Sequence, residues 1–465
     1  MKKIGVLTVA VLLSLTLFAK TPKYVFYFIG DGMGFNAVQM TELYLQSLDG
    51  ELGVKPLVMS SFPVTSVSTT YSANSDVTDS AASGTALATG TKTKNGRLGM
   101  NYDATEPLYS IAVAAKASGK KVGITTSVGI NHATPGAFFA HQNSRDNYYE
   151  ISLDMIAAGF DFYGGSHLEK KSTSAKGERM KNIFDVLDES GYTVCRGVEE
   201  FNEKCAGAEK MLMLPEGGKR FGYQIDRLAT DPSKMSLVDI TASAIKFLDN
   251  KKGFFLMVEG GNIDGAEHGH DAATTIQEVI DFDNSIAVAV EFYKKHPDET
   301  LIVVTADHET GGLAVNPTKP EHLSLLKYQK FSQVKISDIL KKKIKSQERP
   351  LSWEETRDFL TEYTGLWGPV NVSWEQEKFL HDTYELTVAK NEAGHQVDLY
   401  ADNALLVARA ISVLDENAHV HWTTSHSASV VPVFAMGAGS EQFSSKMDNA
   451  LIPKVMAGIA KYKIQ

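Results

Sequence analysis

The sequence predicts an α/β protein with a large, mostly parallel central sheet flanked by helices on both faces. Two observations carry this. Runs of near-continuous hydrophobicity recur along the 465 residues, as expected of strands buried on both sides. Helical patterns fill the intervals between them, and strand alternating with helix defines the class.

The elements follow in order. The opening stretch MKKIGVLTVAVLLSLTLFAK sets two lysines before an apolar run ending near Ala19. This is the layout of a secretory signal peptide over residues 1–19, too short for a stable membrane span, although Leu17 departs from the small residue expected just before cleavage. Export to a bacterial periplasm or the extracellular space is the expectation. Strands are expected at YVFYFIG (Tyr24 to Gly30), KVGITTS (Lys121 to Ser127), GFFLMVEGG (Gly253 to Gly261), LIVVTADHE (Leu301 to Glu309) and VVPVFAMG (Val430 to Gly437). Helices are expected from Leu108 to Ser118, stopped by Gly119, from Leu237 to Leu248, and from Ile276 to Tyr293, stopped before Pro297. Between about 316 and 394 the texture turns charged and amphipathic, as in DILKKKIKSQERP and SWEETRDFL. That segment reads as a helical or irregular insertion beside the active site, within one catalytic domain spanning 20–465.

The net charge of −10 argues against broad nucleic-acid binding but leaves room for a local anion site. Cys195 and Cys205 are the only cysteines, and in an oxidising compartment the pair could form a disulfide, the alternative being two unpaired thiols on a surface excursion.

In open α/β sheets ligands bind at the carboxyl ends of strands, so the polar residues after each apolar run are the candidates. Asp31 follows the first run in IGDGMG; Phe35 occupies the last glycine position of a dinucleotide loop, so Asp31 reads as a metal ligand. Glu259, Asp264 and His268 follow in EGGNIDGAEHGH, with Asp264 and His268 one helical turn apart. His270 reads as a solvated bystander. Asp307 and His308 close another run in TADHET, and His426 precedes the last. Mixed aspartate and histidine sets suit zinc, and all-oxygen sets suit magnesium. In VTDSAASGTALATG, Ser80 reads either as a helix N-cap or as a nucleophile at the positive end of a helix dipole. NHATPGAFFAHQNSRDNYYE adds His132, Thr134 and Arg145, whose guanidinium can grip two phosphate oxygens.

Taken in order, IGDGMG, VTDSAASGTALATGTKT, HATPGAFFAH, GFFLMVEGGNID, TADHE and the late His426 resemble the metal-dependent alkaline phosphatases over most of the chain. The resemblance implies hydrolysis of phosphate monoesters through a phosphoserine intermediate. Ser80 is then the nucleophile, Arg145 the phosphate clamp and Asp79 the residue that orients it. It implies one zinc on Asp264, His268 and His426, a second on Asp31, Asp307 and His308, and magnesium on Asp31, Thr134 and Glu259, with His132 beside this third site. Small phosphomonoester substrates and a homodimer are implied as well. The sequence departs from some relatives at Gly265, where a cationic side chain is absent; Asn262 and Glu267 receive no role. A related metal-dependent phosphodiesterase or phosphonate hydrolase is the alternative activity, and a non-catalytic phosphate- or metal-binding protein is the rival of a different class.

Overall fold

The computed structural model describes residues 21–218, 220–389 and 399–464. The expected signal peptide lies outside the described residues, as does the end of the expected insertion. β1 (Tyr24–Gly30) leads into α1 (Phe35–Ser47), and β2 (Val64–Thr69) precedes α2 (Ser80–Thr89) and α3 (Ile111–Ala117). β3 (Lys121–Thr126), α4 (Ala133–Gly136), α5 (Tyr148–Ala158), β4 (Phe162–Gly164), α6 (Ile183–Glu189), β5 (Tyr192–Arg196), α7 (Gly197–Lys204) and β6 (Lys210–Leu214) follow. The alternation closes with α8 (Gln224–Thr230), α9 (Leu237–Leu248), β7 (Phe254–Gly260), α10 (Asn262–His268), α11 (Ala272–Lys295) and β8 (Thr300–Ala306). Short strands β9 (Glu309–Thr310) and β10 (Ala314–Val315) precede the inserted helices α12 (Pro320–Ser324), α13 (Gln333–Lys345), α14 (Trp353–Thr364) and α15 (Trp374–Thr387). The chain ends through α16 (Leu399–Asn417), β11 (Val420–His421), β12 (His426–Ser427), β13 (Val431–Gly437), β14 (Met447–Asp448) and α17 (Ile452–Ala460).

The central sheet has ten strands in the order β14-β2-β13-β8-β1-β7-β3-β4-β6-β5. All neighbours are parallel except β13, which runs antiparallel to both β2 and β8. Side chains of successive residues in β1 point to opposite faces, and each face is covered. Phe26 and Phe28 join one core with Leu256, Val258 and residues of α9 and α11, while Val25, Tyr27 and Ile29 join a second with residues of α2, α3 and α17. Ile336, Leu340, Phe359 and Leu380 of the inserted helices belong to the first of these cores, so the insertion shares its packing with the sheet.

Register decides where the chemistry falls. Gly30 of β1 pairs with Gly260 of β7 and with Ala306 of β8, while Thr126 of β3 pairs with Glu259. Asp31, Glu259 and Asp307 are thereby brought to one edge of four adjacent strands.

The elements differ from expectation in detail. α3 starts at Ile111, because the Ser110 hydroxyl caps Val113 N at 3.2 Å. α11 begins at Ala272, capped by Asp271 on Thr274 N at 3.0 Å. Of the two readings of the cysteines, the structure has the unpaired one: Cys195 and Cys205 are free thiols. Cys195 is buried in the core on β5, where burial pushes its thiol up to about 12, and the Cys205 thiol sits 3.7 Å from Asn202 O. No described helix is long and apolar enough to cross a membrane.

Candidate active site

α2 is built almost wholly from small buried residues, and this lets it press against α4: a Cβ on Gly84 would come 3.2 Å from Thr134 Cα. Its N-cap is Asp79, not Ser80. The Asp79 carboxylate accepts Ala82 N at 3.0 Å through Oδ1, and accepts Gly96 N at 3.0 Å and Arg145 Nη1 at 3.2 Å through Oδ2. Ser80 is thus relieved of capping and stands in the first turn, buried, with Oγ 3.2 Å from His308 Nε2. The sequence's two alternatives for this pair resolve into a division of labour.

Around Ser80 the carboxylates and imidazoles converge. His308 Nε2 lies 3.4 Å from Asp31 Oδ1 and 3.4 Å from Asp307 Oδ2. Its Nδ1 is 3.1 Å from Thr310 Oγ1, whose hydroxyl donates to Asp264 Oδ1 at 2.7 Å. Burial holds His308 below the ordinary imidazole value, which favours the neutral ring that can ligate through Nε2. The β9 and β12 pairing sets His426 opposite Thr310, and His426 Nε2 then lies 3.1 Å from His268 Nε2 and 3.6 Å from Asp264 Oδ1. His426 Nδ1 is 2.9 Å from Thr78 O, a contact that assigns the proton to Nδ1 and leaves Nε2 free. Burial pushes Asp264 up, yet His426, with His308 and His268 close by, holds its carboxyl well below the usual range.

Glu259 accepts the Thr126 hydroxyl through Oε2. Thr134 Oγ1 lies 3.3 Å from Asp31 Oδ2 and 3.4 Å from Asp307 Oδ2. His132 Nε2 accepts from Arg145 Nη2 at 3.2 Å, and burial together with Arg145 lowers the ring to about 4. Arg145 is therefore held between Asp79, the residue before Ser80, and His132.

The donor set fits metal ions. Ligand atoms of Asp264, His268 and His426 lie within 4.8 Å of one another, as do those of Asp31, Asp264 and His308, and those of Asp31, His132 and Glu259. Asp31 Oδ1 and Glu259 Oε1 are buried without a hydrogen-bond donor. Burial and the neighbouring Asp307 raise Asp31 well above the ordinary value, and burial lifts Glu259 to about 8. Carboxylates crowded into a dry site in this way call for cations.

Sequence reasoning missed several parts. Thr310 bridges two ligands, and its only signal was its place beside TADHE. His270 is no solvated bystander: its ring stacks on Trp422 at 5.4 Å and Nε2 lies 3.1 Å from Thr424 O, tying the end of α10 to the segment that carries His426. Glu267 is buried with both carboxylate oxygens unpartnered, and a Cβ on Gly32 would come 2.5 Å from Glu267 Oε2. Gly32, at φ +80°, is what allows the Asp31 turn and α10 to approach so closely.

A hydroxyl at a helix N-terminus, facing an arginine fork and a ring of metal ligands, is equipped to break a phosphoester, and that places the protein among metal-dependent hydrolases. The chain belongs to the alkaline phosphatase family, whose sequence model matches residues 22–163 and 160–462. It is 34% identical over 385 residues to alkaline phosphatase 4 of Bacillus subtilis, covering 80% of this chain and 74% of that one. Alkaline phosphatase 3 of the same organism is 31% identical, with 95% and 90% covered. The cold-active alkaline phosphatase from a psychrophilic Shewanella superposes with a TM-score of 0.76 at 28% identity, covering 94% of this chain and 99% of that structure. A histidine-to-aspartate variant of the enzyme from the Antarctic bacterium TAB5, solved with magnesium bound, superposes with a TM-score of 0.66 at 25% identity, covering 96% and 99%. The chain is a phosphomonoester hydrolase.

Proposed function

We propose that the enzyme hydrolyses phosphate monoesters through a phosphoserine on Ser80, with two zinc ions and one magnesium ion as cofactors. The observation that carries the reading is the Ser80 hydroxyl, free of capping, 3.2 Å from His308 Nε2 at the head of α2. Zinc is assigned to Asp264, His268 and His426, and to Asp31, Asp307 and His308; magnesium is assigned to Asp31, Thr134 and Glu259, beside His132. Magnesium in the TAB5 variant supports the last assignment. When bound, these cations supply charge neutralisation and lower the pKa of coordinated oxygens.

The chain's own residues do the rest. Ser80 Oγ forms a bond to phosphorus as the ester oxygen departs with its alcohol. Arg145, braced by Asp79 and His132, donates to the nonbridging oxygens, where charge accumulates. The first-turn amides of α2 add the positive end of the helix dipole. Water then cleaves the phosphoserine from the opposite side, releasing inorganic phosphate and restoring the hydroxyl. Each displacement inverts phosphorus, so the product retains configuration.

The same reading makes residues 20–465 one catalytic domain with the 316–394 insertion as part of it. It also takes residues 1–19 as an export signal, the periplasm or cell exterior as the location, and a homodimer as the working form. The lysine-led apolar run supports export, and family resemblance supports the dimer.

The test is release of phosphate from p-nitrophenyl phosphate after chelation and reloading with zinc, with and without magnesium. Zinc-restored turnover, lost in Ser80→Ala while metal content stays intact, is the expected result. Near-normal turnover in Ser80→Ala would overturn the covalent route, and preference for bis-p-nitrophenyl phosphate would overturn the monoester specificity.

A further inference from the structure

Helix α10 carries two of the metal-site residues on one flank and borders a cavity on another. At about 100° per residue, Asp264 and His268 face nearly the same way, Asn262 faces away from them, and Gly265 stands between. The space that a side chain at 265 would enter is taken by Tyr223: a Cβ there would come 2.8 Å from Tyr223 Oη. Among the described residues no group hydrogen-bonds this hydroxyl.

Tyr223 is held in place by a buried network. It is the N-cap residue of α8, and the next amide, Gln224 N, donates to Glu278 Oε1. The Gln224 side chain donates to Asp281 Oδ1 at 3.2 Å. The Asn262 side chain lies close enough to the same Glu278 to favour its charged form. One buried carboxylate on α11 thus fixes the start of α8 against α10, and with it the phenol over Gly265.

Beyond the phenol lies a cavity of about 1250 Å³ lined by Tyr223, Asn262, Val128, Arg220, Arg227 and Lys335, among others. It approaches the reaction centre through Tyr223, which lines it and lies over Gly265, the residue after Asp264. In phosphoryl transfer the attacking and leaving oxygens are roughly in line. On the proposed mechanism, with Ser80 as nucleophile and Asp264, His268 and His426 holding the cation for the leaving oxygen, the alcohol would have α10, which carries Asp264 and His268, beside it. Besides its cations the lining includes Asp226, Glu278 and Gln224, so it is polar with groups of both signs.

We propose that this cavity is the subsite for the alcohol half of the substrate, that it takes hydroxyl-rich alcohols such as sugar or polyol phosphates, and that Tyr223 Oη at its lip determines that specificity. The proposal rests on the monoesterase reading with Ser80 as nucleophile. A neutral phenol with a free hydroxyl can both donate to and accept from a polyol hydroxyl, and a polyol lacking that partner leaves a polar group unpaired.

Sorbitol phosphate and hexyl phosphate, matched in carbon count, separate the hydroxyl preference from the phosphoryl chemistry. Tyr223→Phe is expected to lower kcat/KM for sorbitol phosphate by about 10-fold, the worth of one hydrogen bond, while hexyl phosphate changes by less than about 2-fold. Val334→Trp, at an exposed lining position, is expected to raise KM for sorbitol phosphate by about 5-fold with kcat unchanged, from lost room. Equal losses for the two esters in Tyr223→Phe, or no loss for either, would overturn the proposal, as would an unaltered KM in Val334→Trp. Turnover of p-nitrophenyl phosphate by the same preparations reports on the monoesterase reading alone: if it persists while both variants are silent, only the subsite fails.

Discussion

Removing the Asp79 side chain tests how the head of α2 is built. In Asp79→Ala the helix loses its N-cap on Ala82 N, Gly96 N loses its acceptor, and Arg145 loses its ion pair at 3.2 Å. The lost cap costs about 1 kcal/mol, and the unpartnered Gly96 amide costs about 1–2 kcal/mol. The ion pair adds at most about 1 kcal/mol because both side chains keep solvent contact. Asp79→Ala is therefore expected to lose about 2–4 kcal/mol, read as a fall in urea midpoint at constant slope. Asp79→Asn keeps one oxygen for the cap on Ala82 N, but its amide nitrogen takes the place of Oδ2 and leaves Gly96 N without an acceptor, so its midpoint is expected to fall by the equivalent of about 1–2 kcal/mol, less than that of Asp79→Ala. Both variants free Arg145, and KM for p-nitrophenyl phosphate is expected to rise about 10-fold in each, equivalent to about 1.4 kcal/mol. If Asp79→Ala melts with the unaltered enzyme, or Asp79→Asn falls as far as Asp79→Ala, the division of labour between Asp79 and Ser80 is refuted.

Two further outcomes follow from buried groups. In the metal-free protein, burial lifts Glu259 and Glu278 to about 8 from an ordinary 4.5. The native state then holds protons that the unfolded chain has released, so the stability they contribute is complete below 4.5 and is lost as pH rises to 8. His132 acts at the other limb: buried near 4 against an ordinary 6.5, it contributes stability above 6.5 that is lost as pH falls toward 4. Urea midpoints of chelated protein across this range should fall at both ends, with metal reloading reducing the alkaline loss through Glu259 and Glu278→Gln reducing it further; an alkaline limb insensitive to both refutes the assignment. Of the two cysteines, Cys205 alone should react with a thiol reagent in the native enzyme and both after unfolding; silence of both after unfolding would restore the disulfide.

Much of the fold was legible because buried parallel strands write themselves as unbroken apolar runs. All five expected strands are present, and the polar residues that follow β1, β3, β7 and β8 meet His426, which precedes β13. Short edge strands left weaker traces: β4 has three residues and β5 lies at the sheet edge, and neither exceeds the background of apolar residues. Helix starts were displaced where a polar cap, Ser110 or Asp271, overrode the apolar pattern. In the site, the ligand types were legible one by one, but their supports were not. Thr310, Thr78 O and the stacking of His270 on Trp422 act across long stretches of sequence, and no local spacing announces them. Tyr223 was invisible for the same reason, since nothing near it in sequence refers to Gly265.

The crowding of carboxylates is itself a product of sheet geometry. Neighbouring strands lie about 4.8 Å apart, and β7, β1 and β8 are consecutive in the sheet with Gly260, Gly30 and Ala306 in register. An acidic residue at or just past the end of each strand must then lie close to the next, whatever the loops do. In an apolar surround that arrangement drives protons onto the carboxyls, as the raised Asp31 and Glu259 show. Cations relieve the same repulsion without protons, and at alkaline pH they are the remaining means of doing so. Placing aspartate and glutamate at the ends of three adjacent parallel strands therefore both builds the site and makes cation binding there stabilising as pH rises.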